Sequence, residues 1–472
     1  SSTGPFIMSD NKRLFHLFCG PVLFALCLGL IPDSTLALPT RTAVGTMLWM
    51  GWWWVSMPVN PAVTALLPIV VNALFTLVPM SSITSLYFSD IVVLLLGASM
   101  ISATWEITGL DKRLAVRSLM LLGPSVKTHI AVWFLVSVVL SRVLPNAVVC
   151  ALLVPICAAM IRFLSQGHRA DFKPLLSLLF IGIAWGCGLG GLGTPLGGAM
   201  NLVAVSYIEQ ITGHEYFYMD WVVKMMPMML VLVAATLVFL LVLEPKNLSL
   251  AKTREFVRDE AKKLPPLSRD EIYGLILFIT PLVLSFAREL YADLCPGLKP
   301  AQLFLICGLI CFVLTGKNGK PFASWEQVCP KIEWQLLLLF AGGLALGLLL
   351  TETGATKAVA GAIAALHLGS GIALLLVIIA VTMIFVEVAS NTAAAAIAVP
   401  MVISLAHELG EDPISYVYIT AAAFNTGFMF PTSIRAIPIA YGLNPMYLFL
   451  SGAVMTVITV ILIAVTGRFL FF

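Results

Sequence analysis

The stretch EVASNTAAAAIAVP, from Glu387 to Pro400, places a carboxylate and three small polar residues inside one of the most apolar regions of the chain. Polar and charged groups are costly in such surroundings unless other groups pair with them. The triplet Ser390, Asn391 and Thr392 therefore indicates an interruption in an apolar helical segment. It also predicts a polar partner elsewhere in the fold.

The composition is that of a membrane protein. Of the 472 residues, 60% are hydrophobic and 11% are charged, and the mean hydropathy is +1.00. An average soluble domain carries roughly 25% charged residues. Apolar stretches close to the length that crosses a bilayer, about 20 residues, recur along the chain. These features predict an all-α polytopic membrane protein, and the net charge of +3 does not suggest a nucleic-acid partner.

The sequence offers no set of residues typical of an enzyme. The nine cysteines include no C-x-x-C pair, and their apolar context is typical of small core residues rather than of a disulfide framework or a metal site. Gly186-x-Gly188-x-x-Gly191 fits a dinucleotide fingerprint but lacks the βαβ context that the fingerprint requires. We therefore expect neither catalysis nor an organic cofactor.

The apolar segments predict about eleven transmembrane helices and two re-entrant hairpins. The helices are expected at residues 14–31, 41–57, 59–79, 90–110, 175–208, 221–243, 271–291, 301–315, 333–352, 414–441 and 445–471. The segments at about 128–163 and 371–408 are too long for one span, and they centre on Asn146 and Asn391. We interpret them as re-entrant, since non-helical backbone at membrane depth is tolerated only against protein or a water-filled cavity.

The positions of lysine and arginine predict the orientation in the membrane. These residues concentrate in the N-terminal segment, just after residue 110, around residue 165 and at about 245–270, whereas the loop 80–89 contains none. With a cytoplasmic N-terminus, the positive-inside rule is satisfied only if both hairpins return to the side that they entered. We expect an integral, lipid-embedded protein of a bacterial inner membrane. Residues 1–13 would comprise a tag remnant and a short cytoplasmic segment.

The two halves of the chain repeat one another. LLGASMISATWEITGLDKRLA from Leu95 aligns with FAGGLALGLLLTETGATKAVA from Phe340 at an offset of 245. The same offset carries Asn146 onto Asn391 (391 − 146 = 245). Further along the chain the offset becomes smaller, because the intervening loops differ in length, and GLGTPLGGAMN at 191–201 matches GFMFPTSIRAI at 427–437.

This repeat predicts the domain organisation. A first transmembrane helix at 14–31 precedes one repeat at 32–244, and a cytoplasmic linker at 245–270 leads to the second repeat at 271–472. Each repeat has an odd number of spans, so the second is inverted. Inverted repeats with interrupted helices place a substrate site at mid-membrane, where the halves meet. The polar triplet is therefore expected to face the other hairpin, the interrupted helices and a small ligand.

The triplet Ser390-Asn391-Thr392 and the turn GGLGTPLGGAMN at 190–201 resemble the divalent anion/sodium symporter family, the Na⁺-coupled carriers of dicarboxylates, citrate and sulfate. The resemblance in layout covers nearly the whole chain. It implies an elevator-type homodimer that carries a small organic dianion, such as the C4-dicarboxylates succinate and malate, with Na⁺ as the coupling ion. The first hairpin departs from the family pattern, because Leu144-Pro145-Asn146-Ala147 keeps the asparagine but replaces the serine and threonine.

The resemblance also implies ligand sets. One Na⁺ site would use Ser141, Asn146 and backbone near Gly193. A second Na⁺ site would use the carbonyl of Ala389 together with Ser390, Asn391 and backbone near Ser433. The expected substrate contacts come from the same tips and interruptions: Asn146, Ala147, Thr194, Pro195, Asn391, Thr392, Thr432 and Ser433.

Two arginines deep in apolar sequence are further candidates for substrate binding. Arg142 and Arg435 lie near a predicted tip or interruption, and a guanidinium can hold a carboxylate through two hydrogen bonds. Arg142 falls on Glu387 at the offset of 245 (387 − 142), so either arginine could instead form a structural ion pair. Arg142 could also replace one Na⁺.

Two other functions stay open. An anion exchanger that needs no Na⁺ gradient is favoured by the altered first hairpin and the extra arginines. A carrier of an inorganic oxyanion such as sulfate also fits the same pattern.

Overall fold

A computed structural model of the chain describes residues 9–142, 144–431 and 433–472. The described residues form α-helices and short 3₁₀ turns, with one isolated β-bridge between Thr315 and Pro321. The prediction of an all-α chain is therefore confirmed. The tag remnant expected at the start of the chain falls almost entirely on residues 1–8, which lie outside the described residues.

The helices of the first half follow the predicted segments closely. They are Asp10–Leu30, Leu38–Ser56, Pro61–Thr64, Leu67–Phe75, Met80–Thr84, Asp90–Thr108, Leu110–Ser118, Val126–Leu140, Asn146–Ser165, Lys173–Leu189, Asn201–Thr212 and Tyr218–Val242. The segment expected as one helix at 59–79 is divided into two short helices. Pro68 lies in the first turn of the second helix, and it has no N–H to donate to the carbonyl oxygen of Thr64, the last residue of the first helix.

The second half opens with the linker helix Thr253–Lys262. Its other helices are Arg269–Phe286, Arg288–Tyr291, Pro300–Val313, Trp325–Val328, Trp334–Glu352, Ala355–Ala364, Ile372–Val388, Asn391–Leu409, Pro413–Phe424, Ala436–Ala440 and Pro445–Phe471.

The same order of elements occurs in both halves. Asp90–Thr108 and Trp334–Glu352 each have 19 residues. A left-handed glycine follows the first helix directly, Gly109 (φ 81°), and follows the second after one residue, Gly354 (φ 79°). Glycine adopts this conformation without a steric penalty, which explains why both helices end there. The order agrees with the repeat offset of 245, while the inversion of one repeat stays a prediction.

Eight described helical segments are long and apolar enough to cross a membrane: Asp10–Leu30, Met80–Thr108, Asn146–Ser165, Lys173–Gly193, Tyr218–Val242, Trp334–Glu352, Asn391–Leu409 and Pro445–Phe471. Large apolar side chains are exposed on the outer helices, for example Val242 (76%) and Phe469 (88%). Such a surface fits a lipid environment, where apolar groups need no cover from water. The chain is thus an integral membrane protein, and the count of eleven spans stays a prediction.

Candidate functional site

Two helical hairpins contain the predicted tips. The first hairpin consists of Val126–Leu140 and Asn146–Ser165, and its tip lies between these two arms. The second hairpin consists of Ile372–Val388 and Asn391–Leu409, and its tip is the turn at 389–390. The second arm of each hairpin begins at the asparagine that the sequence singled out. Whether the hairpins are re-entrant stays a prediction.

Two broken helices lie next to the hairpins. The first broken helix consists of Lys173–Leu189 and Asn201–Thr212, separated by the first break at 190–200. In this break Thr194 is extended (φ −140°, ψ 152°), because the ring of Pro195 disfavours helical backbone at the residue before it. The second broken helix consists of Pro413–Phe424 and Ala436–Ala440, separated by the second break at 425–435.

The second tip is hydrogen-bonded to the residue that precedes the second break. Ser390 is extended, and its Oγ accepts a hydrogen bond from the backbone N–H of Ala393 at 3.0 Å, so Ser390 caps the second arm. Nδ2 of Asn391 donates to the carbonyl oxygen of Phe424 at 2.7 Å. Thr392 is buried beside them. Within the triplet, Asn391 is therefore the residue that pairs with the second broken helix, at the end of its first segment Pro413–Phe424.

The first tip has a different arrangement. Oγ of Ser141 is buried without a hydrogen-bond partner among the described residues. The guanidinium of the half-buried Arg142 has Nη2 at 2.8 Å from Sδ of Met229 and 3.9 Å from Sδ of Met226, and its Nε is buried without a partner. None of the described carboxylates forms an ion pair with Arg142.

The carboxylate of Glu387 is paired inside the protein. Its Oε2 lies 3.2 Å from Nη2 of Arg435, and the two side chains are 1% and 6% exposed. The backbone N–H groups of Phe428, Met429 and Phe430 also donate to it, the last two at 3.0 Å. Nε of Arg435 donates to the carbonyl oxygen of Phe430 at 2.7 Å. This cluster binds the first arm of the second hairpin to the second break.

The two halves meet through a buried pair of asparagines. Nδ2 of Asn425, in the second break, donates to Oδ1 of Asn201 at 2.7 Å. Nδ2 of Asn201 donates in turn to the carbonyl oxygens of Gly191 (2.8 Å) and Thr194 (3.0 Å) in the first break. Both asparagines are 0% exposed. The interrupted backbone of one half is thereby satisfied in part by a network that reaches the other half.

Two further contacts join the halves. Nε1 of Trp185, in the first broken helix, donates to the carbonyl oxygen of Phe428 at 3.1 Å. Sγ of Cys150, in the second arm of the first hairpin, lies 3.7 Å from the carbonyl oxygen of Ile434. The second break is therefore in contact with both the first hairpin and the first broken helix.

The remaining predicted residues lie around this junction. Thr194 is half-buried, and its Oγ1 accepts a hydrogen bond from the backbone N–H of Gly197 at 2.9 Å. Pro195 and Gly193 are buried, Asn146 is half-buried and Ala147 is exposed. Ser433 begins the short turn Ser433–Arg435. Thr432 lies outside the described residues.

Three residues of the junction were missed by the sequence reasoning. Asn201 ends the glycine-rich motif, and Asn425 begins an Asn-Thr pair that resembles Asn391-Thr392. That similarity was the signal that could have found Asn425. Trp185 carries no such signal, because tryptophan is common in apolar helices that pack in a protein core.

The described residues form membrane-length helices, two hairpins and two broken helices that meet in a buried polar network, an architecture that secondary transporters use. The family model described as "Citrate transporter" matches residues 51–424. The chain therefore belongs to the citrate transporter family, as a divergent member.

Curated relatives and solved structures agree with this assignment. The chain is 24% identical over 443 residues to the "Sodium-dependent dicarboxylate transporter SdcS" of Staphylococcus saprophyticus, which covers 91% of this chain and 85% of the relative. The protein of the same name from Staphylococcus aureus strain bovine RF122 is 25% identical over 443 residues, with the same coverage.

Two solved transporters share the fold at low sequence identity. The YdaH transporter of Alcanivorax borkumensis has a TM-score of 0.57 at 13% identity and covers 98% of this chain and 99% of its own. MtrF of Neisseria gonorrhoeae, which belongs to a class of antimetabolite efflux pumps, has a TM-score of 0.55 at 14% identity and covers 95% of this chain and 97% of its own. These two structures show the fold alone, while the family model and the curated relatives show that the chain is a transport protein and not an enzyme.

Proposed function

We propose that this protein is a Na⁺-coupled secondary transporter of small organic dianions, with C4-dicarboxylates such as succinate and malate as its substrate class. The observation that carries the proposal is the buried hydrogen bond between Asn201 and Asn425. It joins the interrupted backbones of the two halves, which is the arrangement that broken-helix carriers use to build a site inside a membrane. The names of the Staphylococcus relatives, sodium-dependent dicarboxylate transporters, support the substrate class and the coupling ion.

The substrate would lie between the tips and the breaks. Second arms that start at Asn146 and Asn391 direct helix N-termini at this region, and their partial positive charge favours carboxylates. The proposed contacts are Asn146, Ala147, Thr194, Pro195, Asn391, Thr392, Thr432 and Ser433. Arg142 and Arg435 also stay candidates, although Arg435 already pairs with Glu387.

The second tip supports a Na⁺ site. Na⁺ is a hard cation that prefers oxygen ligands. Nδ2 of Asn391 is engaged with Phe424, so its amide oxygen is the atom that would bind the ion together with the carbonyl of Ala389, Ser390 and backbone near Ser433. At the first tip the corresponding oxygens belong to Ser141, Asn146 and the backbone near Gly193. There the guanidinium of Arg142 lies close to Gly193 and adds a positive charge to the first tip.

The proposed mechanism is an elevator. The hairpins and broken helices would move together, since Glu387, Arg435 and Asn391 bind the second hairpin to the second break and Asn425 extends that connection to the first break. The repeats would be inverted, the protein would be a homodimer, and its N-terminus would face the cytoplasm of a bacterium.

A Na⁺-independent anion exchanger is the second candidate function. The observation that favours it is Arg142, which has no ion-pair partner among the described carboxylates and could neutralise substrate charge without an ion.

Transport by purified protein in liposomes tests the proposal. Uptake of labelled succinate should require an inward Na⁺ gradient, and an excess of malate should compete while sulfate should not. Uptake that needs only internal succinate and ignores Na⁺ would establish the exchanger instead. Competition by sulfate alone would contradict the substrate class.

A further inference from the structure

The first membrane helix, Asp10–Leu30, leaves most of its surface exposed, and its buried residues are Gly20 and Cys27. It packs on the second helix, Leu38–Ser56, through this side of small residues. A Cβ built on Gly20 would lie 2.7 Å from Nε1 of Trp53, which shows how closely the two helices approach. The contact between them is therefore narrow, and large apolar side chains on the rest of the first helix face outward.

A groove with a volume of about 550 Å³ runs along this outward face, from Asn11 to Leu23. Trp52 of the second helix forms part of its wall. The other lining residues recur at the spacing of one helix face and are mainly apolar: Leu14, Phe15, Phe18, Cys19 and Val22. The groove thus offers a continuous apolar surface that begins beside a polar residue.

The length of the groove corresponds to one leaflet of a bilayer. The helical rise between residues 11 and 23 is about 18 Å. The hydrocarbon core of a bilayer is about 30 Å thick, so each leaflet contributes about 15 Å. The groove begins where the helix enters the membrane and ends near the middle of the helix. Its depth therefore suits a single lipid from the leaflet on the side of the N-terminus.

The polar end of the groove is basic. Lys12 lies one helical turn before Phe15, on the side of the groove. Nε of Arg13 donates a hydrogen bond to the carbonyl oxygen of Pro58 at 3.0 Å, which holds the guanidinium at this end. None of the described carboxylates, the neighbouring Asp10 included, forms an ion pair with Lys12 or Arg13. Two such cations at a membrane surface attract an anionic headgroup.

We propose that this groove binds one anionic phospholipid, with an acyl chain along the apolar wall and the phosphate beside Lys12 and Arg13. Trp52 would lie at the boundary between headgroups and chains, where tryptophan is enriched in membrane proteins. The inference is independent of the proposed transport function. It differs from general contact with lipid because it requires a headgroup with a net negative charge.

Photocrosslinking in vesicles tests this inference. Purified protein is reconstituted in phosphatidylcholine with a small fraction of a lipid that carries a photoreactive group in mid-chain, under either a phosphoglycerol or a phosphocholine headgroup. Mass spectrometry of the digested protein then identifies the labelled residues. We expect the anionic probe to label Phe15–Val22 roughly 10–30-fold more than the zwitterionic probe, because each cation contributes about fivefold. Unlabelled phosphatidylglycerol should compete.

The chain supplies its own reference site. Val457 is exposed at mid-length on the last helix, Pro445–Phe471, and should be labelled equally by the two probes. Preferential labelling of the groove is therefore measured against Val457 in the same sample.

Three variants make the test specific. Lys12→Gln should lower the preference for the anionic probe about fivefold. Val22→Trp fills the groove and should reduce labelling by both probes. Lys320→Gln removes an exposed lysine from another loop and should resemble the wild type. All three positions are exposed, so folding should be retained, and the elution volume of each purified variant checks it.

Equal labelling of the groove by the two probes would overturn the inference, since the groove would then contact lipid without selecting it. An unchanged preference in Lys12→Gln would also overturn it. A second copy of the chain is the other possible occupant. An unlabelled groove together with oxidative cross-linking of two copies through Cys19 would assign the face to that contact instead.

Discussion

Asn425 donates a hydrogen bond from Nδ2 to Oδ1 of Asn201 at 2.7 Å, across a separation of 224 residues in sequence. Nδ2 of Asn201 donates in turn to the carbonyl oxygens of Gly191 and Thr194 in the first break. Because both amides are fully buried, neither can exchange its partner for water without moving the break. The relative position of the two halves is therefore coupled to the geometry of their interrupted backbones.

Removal of either asparagine should separate the two breaks. Asn201→Ala leaves the carbonyls of Gly191 and Thr194 without this donor, and each unsatisfied buried group costs about 1–3 kcal/mol. We expect loss of succinate uptake and a lower thermal unfolding temperature for Asn201→Ala and for Asn425→Ala. Asn11→Ala, at an exposed position, serves as the control. Near-normal uptake by both junction variants would show that the network is not part of the transport site.

The ion pair of Glu387 and Arg435 should contribute to the stability of the protein and have little effect on its affinity for substrate. Breaking a buried pair from one side leaves an uncompensated charge and costs about 3–5 kcal/mol. Glu387→Gln and Arg435→Gln should each lower the unfolding temperature, and the double variant should recover part of the loss. Glu260→Gln removes a carboxylate from the exposed pair with Lys263 and should change stability little.

Substrate affinity distinguishes the two interpretations of Arg435. If its guanidinium held a substrate carboxylate, Arg435→Lys would weaken succinate binding roughly 10–100-fold with little change in stability. The pair with Glu387 leads us to expect the opposite result, a loss of stability with affinity nearly unchanged. Calorimetry and thermal unfolding of the same preparation measure both quantities.

Each tip asparagine should be needed for transport. Asn391→Ala removes the hydrogen bond to Phe424, and Asn146→Ala removes the corresponding amide of the first tip. We expect both variants to insert and fold but to lose succinate uptake in liposomes. The elution volume of the purified protein provides the check on folding. Retained uptake in either variant would exclude a site built from both tips.

The first break should tolerate a methyl group at one glycine and reject it at another. A Cβ at Gly190 would overlap the carbonyl oxygen of Val138, whereas a Cβ at Gly188 would meet nothing within 4 Å. Gly190→Ala should therefore be destabilised by about 1–3 kcal/mol. Gly188→Ala, inside a helix, should be neutral or more stable by about 0.5–1 kcal/mol. Thermal unfolding of the two variants side by side measures the difference, and equal stability would contradict the close approach of the two backbones.

The sequence predicted the local interruptions well. Helix arms at Val126–Leu140 and Asn146–Ser165 agree with the expected hairpin at 128–163, and Asn391 begins a helix as its motif suggested. These features depend on apolar length and on the backbone preferences of proline, glycine and asparagine, which act within a few residues. The division of the segment 59–79 into two helices was not predicted, since a proline such as Pro68 occurs both inside a membrane-spanning helix and at its start.

The sequence by itself determined the class of the protein, the repeat and the helix breaks next to the two hairpins, although not the division within 59–79. Only the tertiary structure decided which buried polar groups pair: Glu387 with Arg435, Asn201 with Asn425, and Arg142 with none of the described carboxylates. A helix break is determined by sterics between neighbouring residues. The partner of a buried charge depends on which distant segments converge, and the length and hydropathy of those segments carry no information about that convergence.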